Sequence, residues 1–175
     1  MHGPIPTQTL DGYRYWVTFI DNASCYICVA LLKNKSDVFQ AFKLYKASVE
    51  NKLNAKIQTF RDDKGGEYMS KEFDLFLANA GISRQHTVRN EPHQNGVAER
   101  FNRTLQEGAT SILAESHLPP SMWGHAIHVI THVRNCSPST ALKGSVPFTV
   151  FHGRKPDVSG LRVFGCTAYV HVQKD

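Results

Sequence analysis

The sequence predicts an α/β protein, a sheet with helices covering both of its faces. Two aromatic and β-branched runs near the N-terminus, split by a short polar break, announce the sheet. Behind them, helical stripes alternate with a further short strand, the pattern of helices packed on a sheet. A chain of 175 residues can bury a substantial core around such a sheet.

Taken in order, "YRYWVTFID" (13–21) and "CYICVALL" (25–32) read as strands of a hairpin, with Asn22-Ala23-Ser24 between them. In "SDVFQAFKLYKASVENKLN", Ser36 reads as the N-cap of a helix. Val38, Phe42, Tyr45, Val49 and Leu53 form its apolar stripe, and Lys43, Lys46 and Glu50 lie outside. "KIQTFRDD" (56–63) is a short strand that stops at the "KGG" turn. "SKEFDLFLANAG" is a helix capped by Ser70 and stopped by Gly81. A polar loop leads to the longest helical pattern, 94–116, in which Val97, Phe101, Leu105 and Ile112 form one face. Asn95, Glu99, Arg103 and Gln106 fall on another. Gly108 lowers the propensity of that helix by roughly 1 kcal/mol relative to Ala. Pro119-Pro120 ends it, and 121–135 forms the next helix. "VPFTVFHGRKPDVSG" reads as a short helix plus loop, and "LRVFGCTAYVHV" as a terminal strand or hairpin.

Composition narrows the function. The net charge of +5 leaves nine histidines uncounted, a balance that favours a polyanionic partner. No apolar run approaches the ~20 residues of a membrane helix, and "MHGPIPTQ" is no signal peptide. Cys25, Cys28, Cys136 and Cys166 are too few and scattered for a disulfide framework, which points to a reducing compartment. Cys25 and Cys28 have C-x-x-C spacing but sit in an apolar strand with no second pair. Cys136 and Cys166 are isolated in sequence, so no zinc site is expected from these arrangements. His125, His128 and His132 share helical spacing, with His117 nearby, and read as solvated or hydrogen-bonding side chains.

Two carboxylates stand out. Strand alternation sends Asp62 and Asp63 to opposite faces, and Asp63 falls at a strand end, where open α/β sheets place their sites. Glu99 sits in the first turns of the long helix, within "HQNGVAER". A solvent-facing helix start also carries acids, to suit its dipole. A strand-end Asp and a helix-borne Glu can nevertheless converge on a hard divalent cation, which takes oxygen ligands. Between Asp63 and Glu99 lie 35 residues.

That spacing, with "YRYWVTFIDNAS", "LKNKSDVF", "RDDKGGEY", "GISRQHT", "PHQNGVAERFNRTL", "MWGHAIHV", "RKPDVSGLRVFGC" and "AYVHV" in order along the chain, resembles the integrase catalytic core of copia-type LTR retrotransposons. The resemblance implies an RNase H-like fold with a mixed five-stranded sheet. It divides the chain into a catalytic core (1–135) and a C-terminal extension packed on the same domain (136–175). It implies metal-dependent polynucleotidyl transfer: 3′-end processing, then strand transfer into target DNA in the nucleus, by a homodimer or higher multimer. Asp63 and Glu99 become the second and third members of an Asp-Asp-Glu triad that holds Mg²⁺ or Mn²⁺. Arg100, Arg103 and Gln106, which follow Glu99 on the helix, read either as contacts to the DNA backbone or as a charged solvent face, and Arg103, one turn beyond Glu99 on the same side, favours DNA.

The sequence also departs from the family. There, Asp and a variable pair precede Gly-Pro. Gly3-Pro4 here follows Met1-His2, so the first Asp would fall immediately before Met1, and the chain carries two of three ligands. Lys64 stands where the family has Asn, and Glu91 and His93 stand where Thr and Gln are common. Asp11, Asp21, Asp62 and Glu67 are not placed to replace the missing ligand. These departures leave a second expectation, a non-catalytic, decayed or co-opted domain that binds nucleic acid or self-associates.

Overall fold

The computed structural model describes residues 1–63, 65–86 and 92–171. Lys64 and Glu91 lie outside the described residues, as do the side chains of Glu67, His93, Asn95 and Val97. The N-terminal hairpin pairs β1 (Tyr15–Ile20) with β2 (Ile27–Leu32) antiparallel, in a register running from Tyr15↔Leu32 to Ile20↔Ile27. Its connection is built by side chains: the Asp21 carboxylate accepts from Ser24 N–H at 2.8 Å and from the Ser24 hydroxyl. Cys25 turns the corner at φ 55°, so it precedes β2 instead of lying within the strand as predicted.

The hairpin is the wall between two apolar clusters. Val17 and Phe19 point into one, with Phe42, Phe73, Leu77 and Ile82. Trp16 and Ile27 point into the other, with Leu105, Ala109, Trp123 and Ile127. This is the period-2 alternation of a strand buried on both faces, and it puts helices on either side as the sequence predicts. On the first face lies α1 (Val38–Leu53), whose Val38, Ala41 and Phe42 are buried. Its approach differs from the prediction. A 3-10 turn, Lys35–Asp37, precedes it, and the Asp37 carboxylate accepts from Asn34 N–H at 2.9 Å, so Ser36 is not the cap. Asn54, left-handed at φ 48°, closes α1.

β3 (Thr59–Asp62) pairs in parallel with β4 (Ser83–His86), and α2 (Lys71–Asn79) crosses between them. Ser70 caps α2 by accepting from Phe73 N–H at 3.1 Å, and Gly81, at φ +68°, stops it. β4 is a strand where the sequence predicts only polar loop. Its residues, Ser-Arg-Gln-His, have no apolar alternation, and pairing with β3 alone makes it a strand.

On the opposite face, α3 (Pro92–Ser116) packs along α4 (Trp123–Cys136). At Gly108 the two helices pass close together: a Cβ there would stand 2.9 Å from Ile130 Cγ2. A 3-10 turn, Pro120–Met122, leads into α4. Asn135, near its end, accepts from Ile27 N–H at 2.9 Å and donates to Ile27 O at 2.8 Å, fastening the helix to β2. α5 (Pro147–His152) then buries Phe151, stacked on Tyr26 with ring centres 4.3 Å apart.

Two expectations about strands are corrected. Among the described residues the four strands form two separate two-stranded sheets, not one five-stranded sheet. On the outer edge of β1, His2 makes an isolated antiparallel bridge, exchanging two backbone hydrogen bonds with Trp16. The segment 161–171 forms no strand either, although its composition is β-prone. Tyr169 and Val170 are 93% and 84% exposed, and without a partner strand the ladder bonds that define a strand do not exist.

Candidate functional site

The end of β3 sorts two adjacent acids by environment. β3 closes at Asp62, one residue before the predicted end, and Asp62 is buried. Its carboxylate receives Arg84 Nε at 2.8 Å and lies 3.0 Å from His86 Nδ1, both from β4. Burial alone would lower the Arg84 pKa, but hydrogen bonds to Asp62 and to Asp74 on α2 raise it. The same guanidinium donates to Tyr68 O at 2.7 Å. Arg84 thus ties β3, β4, α2 and the turn that follows Gly65 into one knot.

Asp63, the next residue, is exposed. Its Oδ1 accepts from Gly65 N–H at 3.1 Å, which folds the turn back on the carboxylate and leaves a hard oxygen donor open to solvent. The predicted opposition of the two acids is therefore realised, and Asp62 is committed to Arg84.

Glu99 lies in the second turn of α3 and is exposed, as are Arg100, Arg103 and Gln106. One turn beyond Glu99, Asn102 Oδ1 accepts from the Thr18 hydroxyl at 2.9 Å, which pins this part of α3 onto β1. Asp63 thus follows the end of β3, and Glu99 rides on the helix pinned to β1. Both offer the oxygen donors that Mg²⁺ or Mn²⁺ requires. Among the described residues no three His, Cys, Asp or Glu side chains form a metal-binding group.

Asp21 holds the hairpin turn through Ser24. Asp11 borders a cleft of about 300 Å³, with Thr9, Tyr13, Gly124, His125 and His128 around it. The pKa of His128 is lowered, first by burial and then by His125. His117 adopts φ 55° just beyond α3. Sequence reading missed the Arg84 knot and the Asn102–Thr18 bond. The signal for the first is faint: Arg84 and His86 are two apart, hence on one face if their segment is a strand. No local pattern marks the second.

Similarity to known proteins fits this arrangement. No family model matches the chain. It is 42% identical over 173 residues to the retrovirus-related Pol polyprotein from transposon TNT 1-94 of Nicotiana tabacum, covering 99% of this chain and 13% of that protein. It is 33% identical over 164 residues to the corresponding polyprotein from transposon RE2 of Arabidopsis thaliana, covering 94% and 11%. The chain therefore spans only a small part of these relatives. Its fold matches a chain of the simian T-cell lymphotropic virus intasome solved with the PP2A regulatory subunit B56 gamma. There the TM-score is 0.66 at 17% identity, with 96% of this chain and 57% of the other covered. It also matches the HTLV-2 integrase catalytic core domain solved with magnesium in a trimeric form. That TM-score is 0.61 at 18% identity, with 86% and 93% covered.

The fold is thus the RNase H-like one of the retroviral integrase catalytic cores. By sequence, the chain is related over nearly its whole length to a segment of the Pol polyproteins of copia-type retrotransposons, and its fold makes that segment integrase-core-like. No helix among the described residues is long and apolar enough to cross a membrane.

Proposed function

We propose that this segment is the core of a metal-dependent polynucleotidyl transferase that processes element DNA ends and joins them to target DNA in the nucleus. Asp63 and Glu99 are its second and third carboxylates. One observation carries the reading. His2 pairs antiparallel with Trp16, so a residue placed immediately before Met1 and continuing that register would oppose Thr18. Thr18 is bonded to Asn102, one turn from Glu99. Alternation would turn that residue to the face of His2 and Thr18, the face on which α3 lies. The position where the resemblance expects the first Asp thus falls beside the helix that carries the last acid.

Asp63, Glu99 and that Asp would hold Mg²⁺ or Mn²⁺, which supplies an activated attacking oxygen and stabilises charge on the phosphate. The chain's own side chains then have simple tasks. Gly65 N–H holds the Asp63 carboxylate, and Asn102 holds α3 in place on β1. Arg100, Arg103 and Gln106 contact the phosphate backbone and fix its register. The HTLV-2 cores were solved in dimeric and trimeric forms, which supports a multimer here.

The test is a strand-transfer assay with Mg²⁺ or Mn²⁺ on two chains, the sequence as given and one extended upstream with Asp immediately before Met1. Only the extended chain should join DNA, and Asp63→Asn or Glu99→Gln should abolish joining. The loss corresponds to roughly a thousand-fold or more, the scale of several kcal/mol of transition-state stabilisation. An extended chain that folds, binds DNA and still joins nothing would leave the non-catalytic nucleic-acid-binding reading in its place.

A further inference from the structure

The C-terminal turn of α4 carries metal-ligating side chains that the integrase reading does not use. His132 and Cys136 are four residues apart, so they stand one above the other on the helix surface. Cys136 Sγ lies 3.7 Å from His132 Nε2. A tetrahedral zinc ion, with Zn–S about 2.3 Å and Zn–N about 2.05 Å, spaces a sulfur and a nitrogen ligand roughly 3.6 Å apart. The two side chains already stand at the bite of one such ion.

The turn that presents them is anchored to β2. Asn135, between them in sequence and 3% exposed, is held by both of its hydrogen bonds to Ile27. His132 is exposed and Cys136 half-buried, so an ion can reach the pair from solution. Cys136 is the last residue of α4, where the helix carbonyls favour a cation. The nearby Arg134 does not oppose it from the same face, since its guanidinium lies over the Phe101 ring of α3.

The geometry points to a two-point chelate, His132 Nε2 and Cys136 Sγ, for a borderline-soft divalent ion of the Zn²⁺ class, with solvent completing the coordination. Binding releases the thiol proton, and the thiolate and the neutral imidazole each donate a lone pair. Imidazole plus thiolate selects such ions against Mg²⁺, so this site is chemically separate from the carboxylates of Asp63 and Glu99.

Cobalt(II) reports on it directly, because thiolate ligation produces a near-ultraviolet charge-transfer band. Reduced protein titrated with Co²⁺ should develop that band, and Zn²⁺ should displace it. Cys136→Ser should abolish it, and His132→Gln should weaken Co²⁺ binding at least tenfold. Cys28→Ser and the double variant Asp63→Asn/Glu99→Gln should leave it intact. Zn²⁺ should raise the melting temperature of the parent chain but not of Cys136→Ser, whose metal-free melting temperature should match the parent's. A band that survives Cys136→Ser, or that is indifferent to His132→Gln, overturns the assignment.

Discussion

Asp62 and Asp63 share a backbone, a chemistry and a sequence position to within one residue, yet one is structural and the other open. The difference is position: Asp62 closes β3 and is buried, while Asp63 lies just past the strand in the turn held by Gly65 N–H. The Asp62 side chain is 1% exposed, so its charge depends on Arg84. Removing one partner of such a buried pair costs about 3 kcal/mol, because the other is left uncompensated. Arg84→Met should therefore lower the urea midpoint substantially, while Arg84→Met combined with Asp62→Leu should recover much of the loss. A single variant as stable as the parent would mean that the knot contributes little. Cys28 gives a pH signature. Burial pushes its thiol up from an ordinary 9.0 to about 11, with Lys52 pulling weakly the other way. The folded chain keeps this proton where the unfolded chain has lost it. The contribution is thus intact below about pH 9 and disappears as the pH rises through about 11. Denaturation at pH 8 and pH 11 should show a smaller alkaline loss in Cys28→Ala than in the parent; equal losses would assign the effect elsewhere.

Among the elements, α3 and α4 show how a residue that weakens a helix strengthens a pair of helices. Gly108 costs α3 roughly 1 kcal/mol relative to Ala in isolation. A side chain there would press on Ile130 Cγ2, Cδ1 and Cγ1, all between 2.9 and 3.3 Å from the ideal Cβ position. Ile is stiff at χ1, so the contact cannot be relieved by a small rotation. Gly108→Val should destabilise by about 1–3 kcal/mol, the usual cost of overpacking. In an Ile130→Ala background the same change should cost markedly less. Thermal denaturation of the two singles and the double variant measures that coupling. Additive losses would show that Gly108 serves another purpose.

For the whole molecule, charge is the property that bears on the proposed DNA partner. With a net charge of +5 and Arg100 and Arg103 exposed beside Glu99, duplex binding should be driven by neutralisation of phosphates. Affinities for unrelated duplexes should then fall together as salt rises. Replacing Arg100 and Arg103 with Ala should flatten the log–log salt dependence, by about 0.9 for each phosphate that is no longer neutralised. Fluorescence anisotropy at several salt concentrations checks this, and binding that ignored salt would count against the nucleic-acid partner altogether.

The sequence by itself determined the hairpin, α1 to α4 and the family, because these rest on local signals. Apolar period, the Ser70 cap and the Gly81 stop are read within a few residues, and ordered motifs identify ancestry. It also anticipated, from strand alternation, that Asp62 and Asp63 part ways, although Asp63 lies one residue past β3 and is set apart by the turn at Gly65. Tertiary structure alone decided the rest. β4 is a strand only because β3 lies beside it, and the β-prone residues 161–171 form none because no described strand lies beside them. Asn135 is bound to Ile27 across 108 residues of chain. Gly108, read as a flaw in a helix, is where another helix must pass. Strand pairing and close packing are properties of two segments at once, and neither segment encodes the other's arrival.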